Sequence, residues 1–203
     1  MGRPAGQEQE GSMTAAQTTG TTTTPQVGTS TWAIDPVHSF AEFSVKHMMV
    51  ATAKGRFTKL EGTLQLDEAN PANSSVVASI DIASVDTGEP KRDGHLRTDD
   101  FFNAEQHPQA TFRSTRVEQT DEEHAKVYGE LTIRGVTRPV VFDVEFEGQG
   151  KDAYGNQRAG FTATAAIDRL DYGIKWNPAL ETGGFVVSNR VKLTLHISAV
   201  KQA

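Results

Sequence analysis

Between Trp32 and Val200 the chain consists almost wholly of short runs in which apolar and polar residues take turns. A period of two gives a strand one dry and one wet face. When the pattern repeats through a whole domain, the dry faces must meet, either in a sandwich or inside a barrel. A barrel of about eight strands is filled by its own side chains or has room for one small apolar guest. Function therefore depends on what the interior holds.

Eight strands are predicted. In the first, Ala41, Phe43, Val45 and His47 face one way, and Glu42, Ser44 and Lys46 the other. Pro36 precedes it, at the opening of a strand, where proline is tolerated. The second, Gly55 to Leu66, changes parity between Phe57 and Leu60, which a bulge would accommodate. The third turns Val76, Ala78, Ile80 and Ile82 inward. The rest are Phe112–Glu118, Lys126–Arg134, Pro139–Glu147, Arg158–Asp168 and Phe185–Ala199. Their dry faces are Phe112/Ser114, Leu131/Ile133, Phe142/Val144/Phe146, Phe161/Ala163/Ala165/Ile167 and Val191/Leu193/Leu195/Ile197. Turn signals at Arg134-Gly135-Val136-Thr137 and Tyr154-Gly155-Asn156, with short links elsewhere, give an up-and-down antiparallel order. The fold class is all-β, an eight-stranded barrel.

One stretch breaks the rhythm. From Gly88 to Gln106 the chain is polar, and Asp86-Thr87-Gly88-Glu89-Pro90 offers an N-cap followed by acid and proline. Gly94 divides the segment into two short helical pieces, the second capped by Thr98, with Asp99 and Asp100 in its first turn, suited to the helix dipole. This element lies between the third and fourth strands and packs across one barrel end, anchored by Phe101 and Phe102.

Residues 1–31, rich in Gly, Gln and Thr, have almost nothing to bury and read as a disordered tail before a domain at 32–203. The tail lacks the apolar stretch of a secretory signal, so the cytoplasm is the expected compartment. No run of about 18 apolar residues suggests a membrane span. A formal charge of −6 argues against nucleic acid as a partner. The absence of cysteine removes disulfides, thiol catalysis and thiolate metal sites.

His38, His47, His95, His107, His124 and His196 form no close pair of ligating spacing, so no metal and no cofactor is expected. His47, on an inward face, is either a satisfied core histidine or a hydrogen-bond partner for a ligand headgroup. Arg92, His95 and Arg97 surround Asp93; they either grip a phosphate or quinone oxygen at the barrel mouth or form a network that locks the helical lid. No serine stands in a nucleophile elbow, and no catalytic residue is assigned. The loop Asp171 to Pro178, continuing to Gly183-Gly184, is long for a hairpin. Ile174 and Trp176 line the mouth, or the loop is a rigid surface turn.

The sequence resembles the YceI-like family. Asp35-x-x-His38-Ser39, Phe43-x-Val45-x-His47, Gly55-x-Phe57 and Gly62 match its opening. Arg92-Asp93-x-His95-Leu96, Phe101-Phe102, Gly129-x-Leu131-x-Ile133-x-Gly135-Val136-Thr137 and Arg169-x-x-x-Gly173 match its later signatures, in order. The resemblance implies a lipocalin-like, extended barrel that binds a polyisoprenoid or related amphiphile, a homodimer, and no enzymatic activity.

The candidate lumen residues are Phe43, Val45, His47, Phe57, Ile80, Ile82, Phe101, Phe102, Phe112, Leu131, Ile133, Phe142, Val144, Phe161, Ala163, Ile174 and Trp176. The headgroup candidates are His47, Arg92, His95, Arg97 and Tyr172. The expected partner is a long isoprenoid lipid, a prenyl-pyrophosphate or an isoprenoid quinone, held for transport, storage or metabolism. Two other readings stay open: a barrel filled by its own side chains that acts as an interaction module, and an enzyme that uses His47 on the bound lipid. The small inward residues Ala41, Ala78, Ala163 and Ala165 favour a hollow interior.

Overall fold

The computed structural model describes residues 28–178, 184 and 186–203. Eleven strand segments form one antiparallel sheet: β1 Ser30–Ile34, β2 Phe40–His47, β3 Ala51–Phe57, β4 Leu60–Leu66, β5 Ser75–Asp81, β6 Val85–Asp86, β7 Gln109–Gln119, β8 His124–Ile133, β9 Val136–Lys151, β10 Gln157–Asp168 and β11 Val187–Lys201. β1 pairs with both β4 and β11, which closes the ring β1-β4-β5-β7-β8-β9-β10-β11 as an eight-stranded barrel. β2, β3 and β6 continue β1, β4 and β5 beyond three bends, so each of these long strands is split in two.

The bends explain the parity change. Phe57 and Leu60 are both buried, three residues apart, because the chain turns between β3 and β4 rather than bulging within one strand. The turn is tied to its neighbour: Thr58 and Lys59 donate backbone N–H groups to the carbonyl and hydroxyl of Ser84, and Asp81 donates to the Lys59 carbonyl. Ile82, expected on a strand, begins a 3-10 turn, Ile82–Ser84, and still points inward. At the first bend, Arg158 donates to Asp35 at 2.7 Å and to Asp152 at 2.9 Å, joining the β1–β2 corner to the β9–β10 loop. Burial opposes ionisation of Asp35, but the bonds from Arg158 and His38 prevail and hold its carboxyl well below the usual range. Bonds from Arg158 and Asn156 do the same for Asp152.

The polar segment forms one helix, α1 Pro90–Arg97. Its N-cap is Glu89, not Asp86, and the carboxylate accepts from the N–H groups of Lys91 and Arg92. The expected second helical piece is a series of turns. Thr98 instead caps the end of α1, its N–H and hydroxyl both donating to the His95 carbonyl. Asp99 and Asp100 therefore serve as pairing groups: Arg134 binds the Asp99 side chain and the carbonyls of Asp99 and Phe101, while His95 binds Asp100 at 2.8 Å. Neither lies in a helix.

Two apolar clusters fill the interior. Around Trp32, the residues Ile34, Leu60, Leu64, Ala78, Ala159 and Ala199 pack tightly. The larger cluster runs from Phe57 and Leu96 through Leu131 and Phe142 to Ile174. Residues 1–27 of the expected tail, 1–31, lie outside the described residues; Ser30 and Thr31, at its end, belong instead to β1. Phe185 also lies outside the described residues. No helix among the described residues is long and apolar enough to cross a membrane.

Candidate functional site

Inward faces of the strands enclose a cavity of about 890 Å³. Every one of the seventeen lumen candidates borders it: Phe43, Val45 and His47 from β2; Phe57 from β3; Ile80 and Ile82 from β5 and the turn after it; Phe101 and Phe102 from the segment after α1; Phe112, Leu131, Ile133, Phe142, Val144, Phe161 and Ala163 from β7 to β10; and Ile174 and Trp176. Ala41, Ala78 and Ala163 leave their share of the wall thin, whereas Ala165 packs in the core and does not border the space. Ser114 turns its hydroxyl to the Val76 N–H beside the β7 bulge, so it is a backbone anchor and not a lining residue. The barrel is not plugged by its own side chains.

The opening lies beside β3. Four consecutive residues, Ala51, Thr52, Ala53 and Lys54, border the cavity. A strand with neighbours on both sides exposes only alternate residues to one space. β3 pairs with β2 along its length, but with β6 only at Arg56 and Phe57, so its outer edge is open from 51 to 55. Across this edge stand Thr87, Arg92 and His95. Gly55 has no room for a Cβ, because the Phe43 ring and the Thr87 methyl occupy that position.

The charged candidates divide. Arg92 borders the cavity, yet its guanidinium donates to the hydroxyl and carbonyl of Thr87, whose hydroxyl in turn donates to buried Asp93 at 2.5 Å. His95 borders it too; its ring packs edge-on against Phe101 and Trp176, each with centroids 5.0 Å away. Arg97 is corrected: it turns away from the cavity and donates to the carbonyls of Ala83 and Val85. These bonds are those of a locked lid. Tyr172 is buried in the cavity wall, and its hydroxyl is the buried side-chain polar atom that lacks a hydrogen-bond partner among the described residues. Burial and the Asp171 charge push it up to about 12.

Arg169 entered the sequence analysis only through the Arg169-x-x-x-Gly173 signature and was given no place in the site. Its buried guanidinium donates to the carbonyls of Ile174, Trp176, Ser188 and Val187 and to the Asn189 side chain. Burial draws it below the usual arginine value, and it staples the Ile174–Trp176 loop to the start of β11. A lone arginine directly after an apolar strand was the available signal. The loop is thus both cavity wall and rigid turn, with Asn177 also bonded to Val187 in both directions. The far end was missed as well: Asp67, Glu68, Glu122, Glu123 and His124 border the cavity there, opposite Lys54, Arg92 and Arg169. No group of three or more His, Asp or Glu residues among those described is placed to hold a metal ion.

A family model described as the YceI-like domain matches residues 32–199. A UPF0312 protein of Ectopseudomonas mendocina is 40% identical over 167 residues, covering 81% of this chain and 83% of its own. The crystal structure of Burkholderia cenocepacia BcnA superposes with a TM-score of 0.72 at 25% identity, covering 81% of this chain and 98% of that one. A polyisoprenoid binding domain from Saccharophagus degradans, implicated in plant cell wall breakdown, shares the fold at a TM-score of 0.64 and 18% identity, over 84% and 98% of the two chains. Closed barrel, split strands, one helix over the open end and the match through residues 32–199 agree: the chain belongs to the YceI-like family.

Proposed function

We propose that the protein binds a long isoprenoid lipid in the barrel lumen and carries or stores it, without chemical turnover and without a metal or cofactor. The observation that carries this reading is the apolar cavity of about 890 Å³. A wall that is mainly apolar, with Phe, Leu, Ile, Val and Ala in its middle and polar residues toward its ends, suits a hydrocarbon chain. The polyisoprenoid binding domain from Saccharophagus degradans, which has the same fold, supports the choice of guest. Each five-carbon unit gains about 3–4 kcal/mol on burial, against an association cost of about 4–15 kcal/mol. Four or more units suffice for micromolar binding.

The head is best read as neutral. Arg92 and Arg97 are engaged with backbone and Thr87, and His95 with Asp100, so little of the cationic cluster is left for a pyrophosphate. Tyr172 holds an unsatisfied donor, which a quinone carbonyl would accept after a small side-chain shift.

Native mass spectrometry after incubation with isoprenoid quinones and prenyl lipids tests the reading. A lipid-sized mass increment is expected with quinone, lost in Ala163→Trp, which places an indole in the lumen between Val144 and Leu195. A protein that stays lipid-free with every lipid overturns it.

A further inference from the structure

We infer that the β2–β3 hairpin is a membrane-docking finger through which the lumen exchanges its guest with an anionic lipid bilayer. The inference rests on the carrier reading for the identity of the guest, and on four independent features of the hairpin for the docking itself.

The first is exposure. Met48, Met49 and Val50, at the tip, are 46%, 80% and 87% exposed. The other large exposed apolar residues are single and scattered, which is normal for a soluble surface; three in a row at a protruding tip are not. The second is backbone strain. Met48 and Met49 take φ of +50° and +61° in the three-residue loop between the paired His47 and Ala51, where the Val50 N–H donates to the His47 carbonyl. Left-handed positions favour Gly and Asn, and methionine holds that conformation at a cost. A tip that breaks both the exposure rule and the turn rule marks a functional compromise.

The third is charge. The hairpin from Phe43 to Phe57 holds Lys46, Lys54 and Arg56 and no acidic residue, in a protein of net charge −6; Arg56 pairs with Asp86 of β6, which leaves Lys46 and Lys54 as the cations beside the tip. Basic residues flanking an apolar tip match an anionic bilayer surface. The fourth is continuity with the opening. His47 and Ala51, on either side of the tip, border the cavity, as does the open edge of β3 beyond them. Leu170 stands on the adjoining turn, and its neighbour Arg169 bonds to Val187, the register partner of His47. A lipid leaving the bilayer along Met49 would reach the opening without crossing water. A second copy of the chain is the poorer occupant, because a stable dimer buries about 800 Å² on each partner and three tip side chains cannot supply that.

The test uses the full chain with phosphatidylcholine vesicles, with and without phosphatidylglycerol. Wild type is expected to co-sediment with the anionic vesicles, and Met49→Asp/Val50→Asp to lose at least tenfold in binding and in the rate of quinone uptake from them. Quinone added from ethanol should load both proteins equally, and thermal unfolding should be unchanged, since both side chains stand in solvent. Lys46→Glu/Lys54→Glu should remove the preference for phosphatidylglycerol. Wild type that does not co-sediment, or a tip variant that still does, overturns the docking finger. So does a tip variant that converts a dimer to a monomer with vesicle binding intact. Failure to load from ethanol overturns the carrier reading alone, because vesicle binding still decides the docking question.

Discussion

The Trp32 end of the barrel and the Met49 end are built from the same long strands and obey opposite rules. At the first, Trp32 and Ala199 are 1% exposed or less and do not border the cavity, β1 is paired on both sides, and the Trp32 indole N–H donates to Ser30 at 2.8 Å. At the second, a strand edge lies open, a turn is strained, and apolar side chains stand in solvent. Close packing around Trp32 gives stability, and that cluster meets the cavity only along its inner side, at Leu60, Leu64, Ala78 and Ala159. The open end gives up packing and pairing, and gains a passage. The contrast teaches that stability and function are segregated along the barrel axis, so they should respond separately to mutation.

The largest effect is expected at the closed end. Trp32→Ala should lower stability by about 3–5 kcal/mol, the usual cost of deleting a large core aromatic. Urea denaturation would show this as a lower midpoint at unchanged slope. Lipid retention by the folded fraction should not change, since Trp32 does not border the cavity. A loss of less than about 1 kcal/mol, or retention that falls with stability, would dissolve the separation.

Legibility follows the same division. Alternation made the ring and its lining readable, from Phe43 on β2 to Ile197 on β11, because every inward face must be apolar whatever closes the barrel. The bends were visible as parity changes but not as breaks: that Phe57 and Leu60 belong to two strands depends on Ser84, which lies far along the chain. The piece after α1 was misread for a similar reason. Asp99 and Asp100 suit a helix start, yet Arg134 and His95 claim them, and local propensity yields to such partners. Arg97 could not be placed without knowing which face of α1 meets Ala83. The open edge of β3 was invisible, because no residue pattern announces a missing neighbour.

At the open end, repairing the turn should stabilise the protein. Met48→Asn/Met49→Gly supplies residues that left-handed positions favour, with an expected gain of about 1 kcal/mol after glycine's entropy cost is deducted. The same change removes apolar surface from the tip, so quinone uptake from anionic vesicles should slow while the melting temperature rises. Measuring both in one variant sharpens the comparison, because opposite signs are the signature of strain kept for function. If the substitution destabilises the fold, the left-handed methionines are not a compromise but a fit.

The smallest effect concerns Tyr172, in the wall between the two regimes. Its hydroxyl is buried without a hydrogen-bond partner among the described residues and is pushed up to about 12, burial being the main cause. In the unfolded chain the group ionises near 10. Between these values the folded state keeps a proton that the unfolded state has lost, so stability must fall as pH rises from 10 toward 12. Tyr172→Phe removes this dependence. The difference in stability between variant and wild type, measured by urea denaturation at a series of pH values, should be near zero or in the variant's favour at pH 8 and should grow toward the variant at pH 11. A buried hydroxyl without a partner costs the fold free energy, which a hydrogen bond to a guest would recover. Retention of a quinone should accordingly weaken in Tyr172→Phe while a head-free polyprenyl hydrocarbon is held as before; equal retention of both would strip the hydroxyl of any part in selecting the head.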